Sequence, residues 1–254
     1  MVAETQLKQN LIIDLGMHNG HDTDFYLRKG FSVVAVEANP ALAGIAAEQF
    51  STQVKNGELV ILNKGIASKA DTLDFYVNED KDDWSSFIKE VGTRRDTKYH
   101  IEKIKCVPLE SILAEYGIPY FIKIDIEGYE EICLDSLFKF ELRPRYVSVE
   151  AREMGKVLLE KLKKLGYNKF KIVDQSQNSL LKAPTPAKEG KYVDYEFDSY
   201  SSGLFGEETP GDWLDFERTM AEYLELLKTY NFKDKAGFAG GHWYDIQARH
   251  SSVK

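Results

Sequence analysis

The sequence predicts an α/β domain built on a mostly parallel sheet with helices on both faces, and three observations carry that prediction. Short apolar runs alternate with helix-period stretches, the pattern of strands joined by helical crossovers. The first run, LIID, stops at DLGMHNG, a turn with two glycines placed ahead of a helical segment. The second run, SVVAVE, ends on Glu37, which lies 23 positions after Asp14.

Element by element, LIID is a buried strand, and a helix follows from about His21 to Lys29 with a turn at Gly30. SVVAVE is the next strand, and Pro40 suits the first turn of the helix ALAGIAAEQF. ELVILNKGIAS reads as a third strand, with TLDFYV alternating at period two and expected beside it. Residues 78–99 are rich in charge and poor in periodicity, a loop insertion of the kind that is either functional or disordered. HIEKIKCV reads as a strand, PLESILAEYG as a short helix, PYFIKIDIEG as a buried strand, EEICLDSLFKF as a helix and RYVSVEA as a strand. MGKVLLEKLKKLGY has helical spacing, and Gly166 suits its C-terminal cap. NKFKIVDQ and WYDIQARH are strands at either end of a second insertion, residues 175–242, made of a polar loop and the amphipathic helix DWLDFERTMAEYLELLKTY. There is no internal repeat, so residues 1–254 are expected to form one domain with two elaborated regions.

A chain of 254 residues can bury one sizeable core. Its formal net charge of -8 argues against a broad cationic surface, so no nucleic-acid partner is expected. Cys106 and Cys133 stand alone in apolar contexts and read as reduced core thiols. The N-terminal stretch is polar, and no run approaches the roughly 18 to 20 apolar residues that a membrane span needs, so the expectation is a cytoplasmic protein with no membrane span. The sequence carries no signal for oligomeric state.

The turn after the first strand carries the chemistry. In open α/β sheets, ligands bind beyond the carboxyl ends of the strands near the switch in strand order. Gly16 and Gly20 let the backbone approach a ligand, and the helix that follows presents free N–H groups. The pattern is D-x-G-x-x-x-G and not the G-x-G-x-x-G of dinucleotide binders. An acid at Asp14 is a poor neighbour for a diphosphate and a good one for a cationic amino-acid group. S-adenosylmethionine has an ammonium, a sulfonium and no phosphate. Glu37 stands where such folds place an acid on ribose hydroxyls. His18 is a further candidate on the same turn, although a histidine at a loop surface is the plainer reading.

The stretch DLGMHNGHDTDFYLRKGFSVVAVEANP, followed by FIKIDIEGYEEICL, resembles the FkbM family of S-adenosylmethionine-dependent methyltransferases. The similarity runs from about Leu11 to Glu150, with a looser likeness around FGEETPGDW and HWYDIQARH. It implies a class I methyltransferase fold, Rossmann-like, with a seven-stranded sheet whose last strand is antiparallel. It also implies O-methylation of a hydroxyl, commonly on a sugar or polyketide, so the acceptor is expected to be a small molecule or glycan. Asp14, Gly16, His18 and Gly20 would then belong to the cofactor turn, with Glu37 and Ala38 at the ribose. Asn63 and Ala67 of NKGIAS would lie near the adenine or methionine end. Asp125 and Glu127 match the family's Asp-x-Glu-Gly motif, and Ser85 and Ser86 sit where relatives carry serines lining the site.

Methyl transfer from a sulfonium is an in-line displacement, and a base that removes the acceptor proton adds roughly 10² to 10⁴ in rate. Asp125 is the first candidate, because it emerges at the end of the apolar run FIKID; Glu127 and Glu150 are the next carboxylates. Glu127 could instead charge a helix start, and Glu150 could pair with Arg152 or Lys123. Three such acids also offer hard oxygen ligands to a divalent cation, but no histidine obviously joins them and no metal is favoured. His242, after two glycines, reads either as a base on a hinge or as a cap on the last strand. Trp84, Trp213 and Trp243 could stack on sugar rings or pack in the core. Two other readings compete: a nicotinamide-dependent oxidoreductase, disfavoured by the missing G-x-G-x-x-G, and a non-catalytic nucleoside-binding module on the same scaffold.

Overall fold

Residues 6–231 and 238–251 are described by a computed structural model. The first five residues of the polar N-terminal stretch and residues 232–237 of the second insertion lie outside them. In chain order the elements are β1 (Leu7–Leu15), α1 (His21–Arg28), β2 (Ser32–Glu37), α2 (Pro40–Gln49), α3 (Ser51–Lys55), β3 (Leu59–Asn63), β4 (Gly65–Ile66) and β5 (Asp71–Asn78). They continue with α4 (Lys89–Gly92), β6 (Tyr99–Val107), α5 (Leu109–Tyr116), β7 (Ile118–Ile124), α6 (Glu130–Leu137) and β8 (Tyr146–Ala151). The last are α7 (Gly155–Lys164), β9 (Tyr167–Asp174), α8 (Phe216–Leu227) and β10 (Tyr244–His250).

Seven strands form the main sheet in the order β3-β2-β1-β7-β8-β10-β9, and β10 is antiparallel to both its neighbours. The strand order reverses between β1 and β7, so the carboxyl ends of these two strands open a crevice. Residues buried on both faces of the sheet explain why its strands read as continuous apolar runs. Ile13, Ile122, Val147 and Ile246 pack against α5, α6 and α7 on one side. Ile12, Val33 and Phe121 pack on the other side against Phe25 and Tyr26 of α1.

Local signals account for the helix starts. Asn39 caps α2 by accepting from the Ala41 N–H at 3.0 Å, with Pro40 in the first turn. Asp215 caps α8 in the same way through Arg218 N–H at 2.9 Å. Gly166 follows α7 with φ near 96°, the left-handed residue expected there.

The structure departs from the sequence reading in the region after α3. ELVILNKGIAS is broken at Lys64 into β3 and β4, and TLDFYV does not join the third strand. It forms β5, which pairs antiparallel with β6 in a separate three-stranded sheet, β4-β6-β5. Insertion 78–99 is therefore the connection of a hairpin. The second insertion does more than loop out: its Phe197, Leu204 and Phe205 complete the core on the α1 face of the main sheet. Buried Glu208 anchors it to buried Lys29 at 2.8 Å and accepts the Lys188 and Glu189 N–H groups.

Candidate active site

A cavity of about 420 Å³ lies at the carboxyl edge of the main sheet, roofed by the two insertions. Its floor begins at Gly16, whose φ of +83° is a conformation that side chains resist. A Cβ there would stand 1.8 Å from the Asp125 carbonyl oxygen, so only glycine lets the ends of β1 and β7 close up. The N–H groups of Gly16 and Met17 both donate to Val36 O, at 3.0 and 3.1 Å, which ties the turn to β2.

Glu37 ends β2 at the cavity wall, nearly buried. Burial raises its carboxyl above the ordinary value, while the Asn39 and His18 N–H groups, donating at 2.7 and 2.8 Å to its two oxygens, pull it down. Those two bonds fix the carboxylate plane and leave each oxygen a further lone pair. His18 adopts φ 50°, lines the cavity and places its Nε2 3.3 Å from Asp82 Oδ1, with Tyr200 stacked on the ring. Ala38 also lines the wall. Gly20, Asn63 and Ala67 do not. Gly20 packs at the start of α1 against Phe50, Asn63 donates to the Glu37 and Ala38 carbonyls from outside, and Ala67 is buried beside β6. From the NKGIAS stretch it is Lys64, Gly65 and Ile66 that face the cavity.

Asp14 is placed differently from the sequence reading. It is fully buried, does not line the cavity, and accepts from Thr23 Oγ1 at 2.7 Å. The cation beside it is Lys123, on β7, at 3.7 Å from its carboxylate. Lys123 also stands 3.0 Å from Asp22 and 3.7 Å from Asp125, and donates to Gly16 O. Burial works against that ammonium, but Asp22, Asp14 and Asp125 hold its pKa well above the usual value. Desolvation pushes Asp14 up to about 6 in spite of Lys123. Asp22 in turn accepts the Ser202 N–H at 2.8 Å, so the second insertion is bonded directly to this buried ionic centre.

The acids at the strand ends have separate environments. Asp125 opens onto the cavity with 37% of its side chain exposed, and its carboxyl is raised by desolvation and lowered by Lys123. Glu127, at φ 56°, is clamped between Arg94, bound through both nitrogens at 2.9 and 3.3 Å, and Arg152. Although burial disfavours its charge, Arg152 and Arg94 hold Glu127 below the ordinary carboxylate range, which removes it as a base. Glu150 has Arg152 at 3.8 Å, yet burial and the neighbouring Glu127 charge push its carboxyl well above the ordinary value. Ser86 is buried and donates to Glu127 O at 2.7 Å, while Ser85 reaches the cavity. His242 also reaches it, with Nδ1 2.7 Å from Asp174.

Sequence reasoning passed over several residues that the fold brings here. Asp245 of β10 lines the cavity, accepts from Ser148 Oγ at 2.6 Å, and is raised to about 7 by burial and Asp125. Arg94 comes from the first insertion and carries the Trp84 ring 4.3 Å away. The signal for Lys123 and Asp245 was a charge inside a strand, which a linear reading treats as its exposed face, and Asp22 reads as an ordinary acid in the first turn of α1. Trp84 and Trp243 line the cavity; Trp213 does not, and instead packs on Tyr146 beneath Lys171 and Arg249. Both cysteines are free and buried. Among the described residues, no group of three or more His, Cys, Asp or Glu side chains is arranged to hold a metal ion, and no helix is long and apolar enough to cross a membrane.

The structure is similar to the methyltransferase FkbM of Methylobacillus flagellatus KT, with 14% identity over 57% of this chain and 34% of that one and a TM-score of 0.39. This chain thus spans about a third of that protein's length. It is also similar to precorrin-6y C5,15-methyltransferase from Geobacter metallireducens GS-15, with 11% identity, 97% and 82% coverage and a TM-score of 0.41. An rRNA methylase from Streptococcus thermophilus gives 11% identity, 98% and 92% coverage and a TM-score of 0.39. No curated protein matches the sequence. The assignment rests on the Methyltransferase FkbM domain, which matches residues 14–169, well over half of the sequence and every strand from β2 to β8. The chain belongs to the FkbM methyltransferase family.

Proposed function

We propose that the chain is an S-adenosylmethionine-dependent O-methyltransferase acting on a hydroxyl of a carbohydrate or related small metabolite. The observation that carries this reading is the pre-oriented Glu37 carboxylate at the end of β2, facing a cavity in which carboxylates outnumber lysines and arginines seven to five. Such a wall suits a nucleoside with a cationic tail. Glu37 would accept from the ribose hydroxyls, Gly16 and Ala38 would face the nucleoside, and Asp125 would face the positive tail. Among the described residues, buried Glu150 Oε2 on the cavity wall has no hydrogen-bond partner and His18 Nε2 has only Asp82 Oδ1 beside it at 3.3 Å, which fits a polar ligand between them. Bound there, S-adenosylmethionine supplies an electrophilic methyl group on a sulfonium.

The protein's part in the reaction is to hold the acceptor oxygen in line, a task worth several kcal/mol of barrier. Asp125, Glu150 and Asp245 supply hydrogen-bond acceptors for hydroxyl groups at the β7, β8 and β10 end of the cavity. Trp243 offers an aromatic face there. The net charge of -8 favours a small or neutral acceptor over a nucleic-acid backbone, and two buried free thiols suit a reducing, cytoplasmic setting.

Thermal unfolding tests the reading. At one hundred times its Kd, S-adenosylhomocysteine adds about 2.7 kcal/mol, which is about 5 to 10 °C in Tm for a chain of this size. NAD at the same concentration leaves Tm unchanged. A shift with NAD and none with S-adenosylhomocysteine overturns the proposal.

A further inference from the structure

The register of the sheet gathers three groups at one end of the cavity. Tyr244, the first residue of β10, pairs with Ala151 at the end of β8 and with Asp174 at the end of β9. His242, two residues earlier, therefore stands at the same carboxyl edge as Glu150, four strand spacings from Glu37, or about 19 Å at about 4.8 Å each. That distance puts it beyond the nucleoside end and on the acceptor side.

Its ring is oriented from one side. Nδ1 lies 2.7 Å from Asp174 Oδ2 and 3.0 Å from Ser176 Oγ. The Ser176 hydroxyl is already committed, donating to Asp174 Oδ1 at 2.6 Å, and the Ser176 N–H donates to the same oxygen at 3.0 Å. Neither neighbour has a hydrogen to give Nδ1, so in the neutral ring Nδ1 carries the proton and Nε2 the lone pair. Tyr244 stacks on the imidazole with centroids 6.2 Å apart and planes 15° apart. His242 lines the cavity, and Nε2 makes no hydrogen bond among the described residues. Of the competing carboxylates, Glu127 is engaged by two arginines, Asp125 by Lys123 and Asp245 by Ser148, while Glu150, with Arg152 only at 3.8 Å, is pushed towards its protonated form by burial.

We propose that His242 is the general base for the acceptor hydroxyl, with Asp174 and Ser176 as the positioning residues that present Nε2 to it. The inference rests on the methyl-transfer reading above. As the acceptor oxygen bonds the methyl carbon, its proton passes to Nε2 and the C–S electron pair remains on sulfur. The imidazolium so formed faces the Asp174 carboxylate, and the proton later leaves to solvent.

The test uses the full chain, ¹⁵N-labelled at histidine, with His242→Gln identifying the resonance. In the presence of S-adenosylhomocysteine, long-range ¹H–¹⁵N spectra show the neutral ring protonated at Nδ1 and bare at Nε2. In Asp174→Asn the amide can donate to Nδ1, so the population moves to the Nε2–H form, and carbethoxylation of His242 by diethylpyrocarbonate slows several-fold. With a tritium-labelled methyl donor and a monosaccharide panel, His242→Gln lowers kcat by about 10²- to 10⁴-fold while the KM for the donor stays within about twofold. A purely structural histidine would not produce that split. Wild-type protein that binds S-adenosylhomocysteine with an Nε2–H ring, or His242→Gln with kcat within about threefold of wild type, overturns the base role alone. Wild-type protein that does not bind S-adenosylhomocysteine overturns the methyl-transfer reading and the base role with it.

Discussion

Replacing Asp245 by asparagine should stabilise this protein at alkaline pH and do much less in acid. Asp245 is almost fully buried on β10, with Ser148 as its hydrogen-bond donor, and burial followed by the charge of Asp125 raises it from 3.8 to about 7. A carboxyl whose pKa is higher in the fold than in the unfolded chain binds its proton more tightly when folded, so the folded state loses stability as pH rises from about 4 to about 7. Asparagine keeps the shape and the oxygen that accepts from Ser148 but never ionises. Between pH 5 and pH 8 the carboxylate costs the wild type about two pH units at about 1.4 kcal/mol each, or roughly 2 to 3 kcal/mol. Urea unfolding of both proteins at the two pH values measures it: the stability gap in favour of Asp245→Asn should widen by about that amount at pH 8. A gap that is the same at pH 5 and pH 8 would refute the argument, because the residue would then not be titrating under strain in the fold.

Three further outcomes are expected. Gly16→Ala should lower stability by about 2 to 5 kcal/mol in urea unfolding, from about 1 to 2 for the left-handed backbone and about 1 to 3 for pushing the β7 end away; a loss below about 1 kcal/mol contradicts the close approach to Asp125. Lys123→Met leaves Asp14 and Asp22 buried without their cation and should cost about 3 to 5 kcal/mol at pH 8, relieved at pH 5 as Asp14 protonates; a pH-independent loss points to packing instead. Glu37→Ala should weaken S-adenosylhomocysteine binding by about 1 to 3 kcal/mol in titration calorimetry, roughly 5- to 150-fold in Kd, and an unchanged Kd removes Glu37 from the ligand site.

The main sheet was legible because strands buried on both faces leave near-continuous apolar runs, and each such run was found. The second sheet was not, since β4 is two residues long and β5 and β6 are half-exposed, so period-two alternation could not say which strand they join. That Glu37, Asp125 and Glu150 line the cavity was readable, because an acid that closes an apolar run emerges at a strand end. Asp14 satisfied the same rule, but the cation it faces is an internal one, Lys123, and pairing between β1 and β7 is a register that no local pattern encodes. Glu127 was read as a candidate base or as a charge at a helix start, and not as half of a clamp, because its two arginines come from different segments, Arg94 in the first insertion and Arg152 after β8. Asp174 and Ser176 escaped notice for the same reason: their significance depends on a histidine 66 positions or more away.

The Arg94–Glu127–Arg152 clamp has a bearing on how acceptor choice could change over time. Residues 78–99 begin and end on neighbouring ends of a hairpin and are fastened to the rest of the chain through Arg94 and Ser86 on Glu127, Phe87 on Phe75 and Tyr129, and Asp82 beside His18. A segment attached in this way is a cassette: its tip can be rewritten, or exchanged for that of a relative, provided these fasteners remain. Gly16 and the Lys123 centre lie on other strands, and Glu37 touches the segment only through His18, whose ring faces Asp82. On the proposed reading, the donor site would then be inherited through the sheet, and one part of the acceptor wall through a graft of about twenty residues.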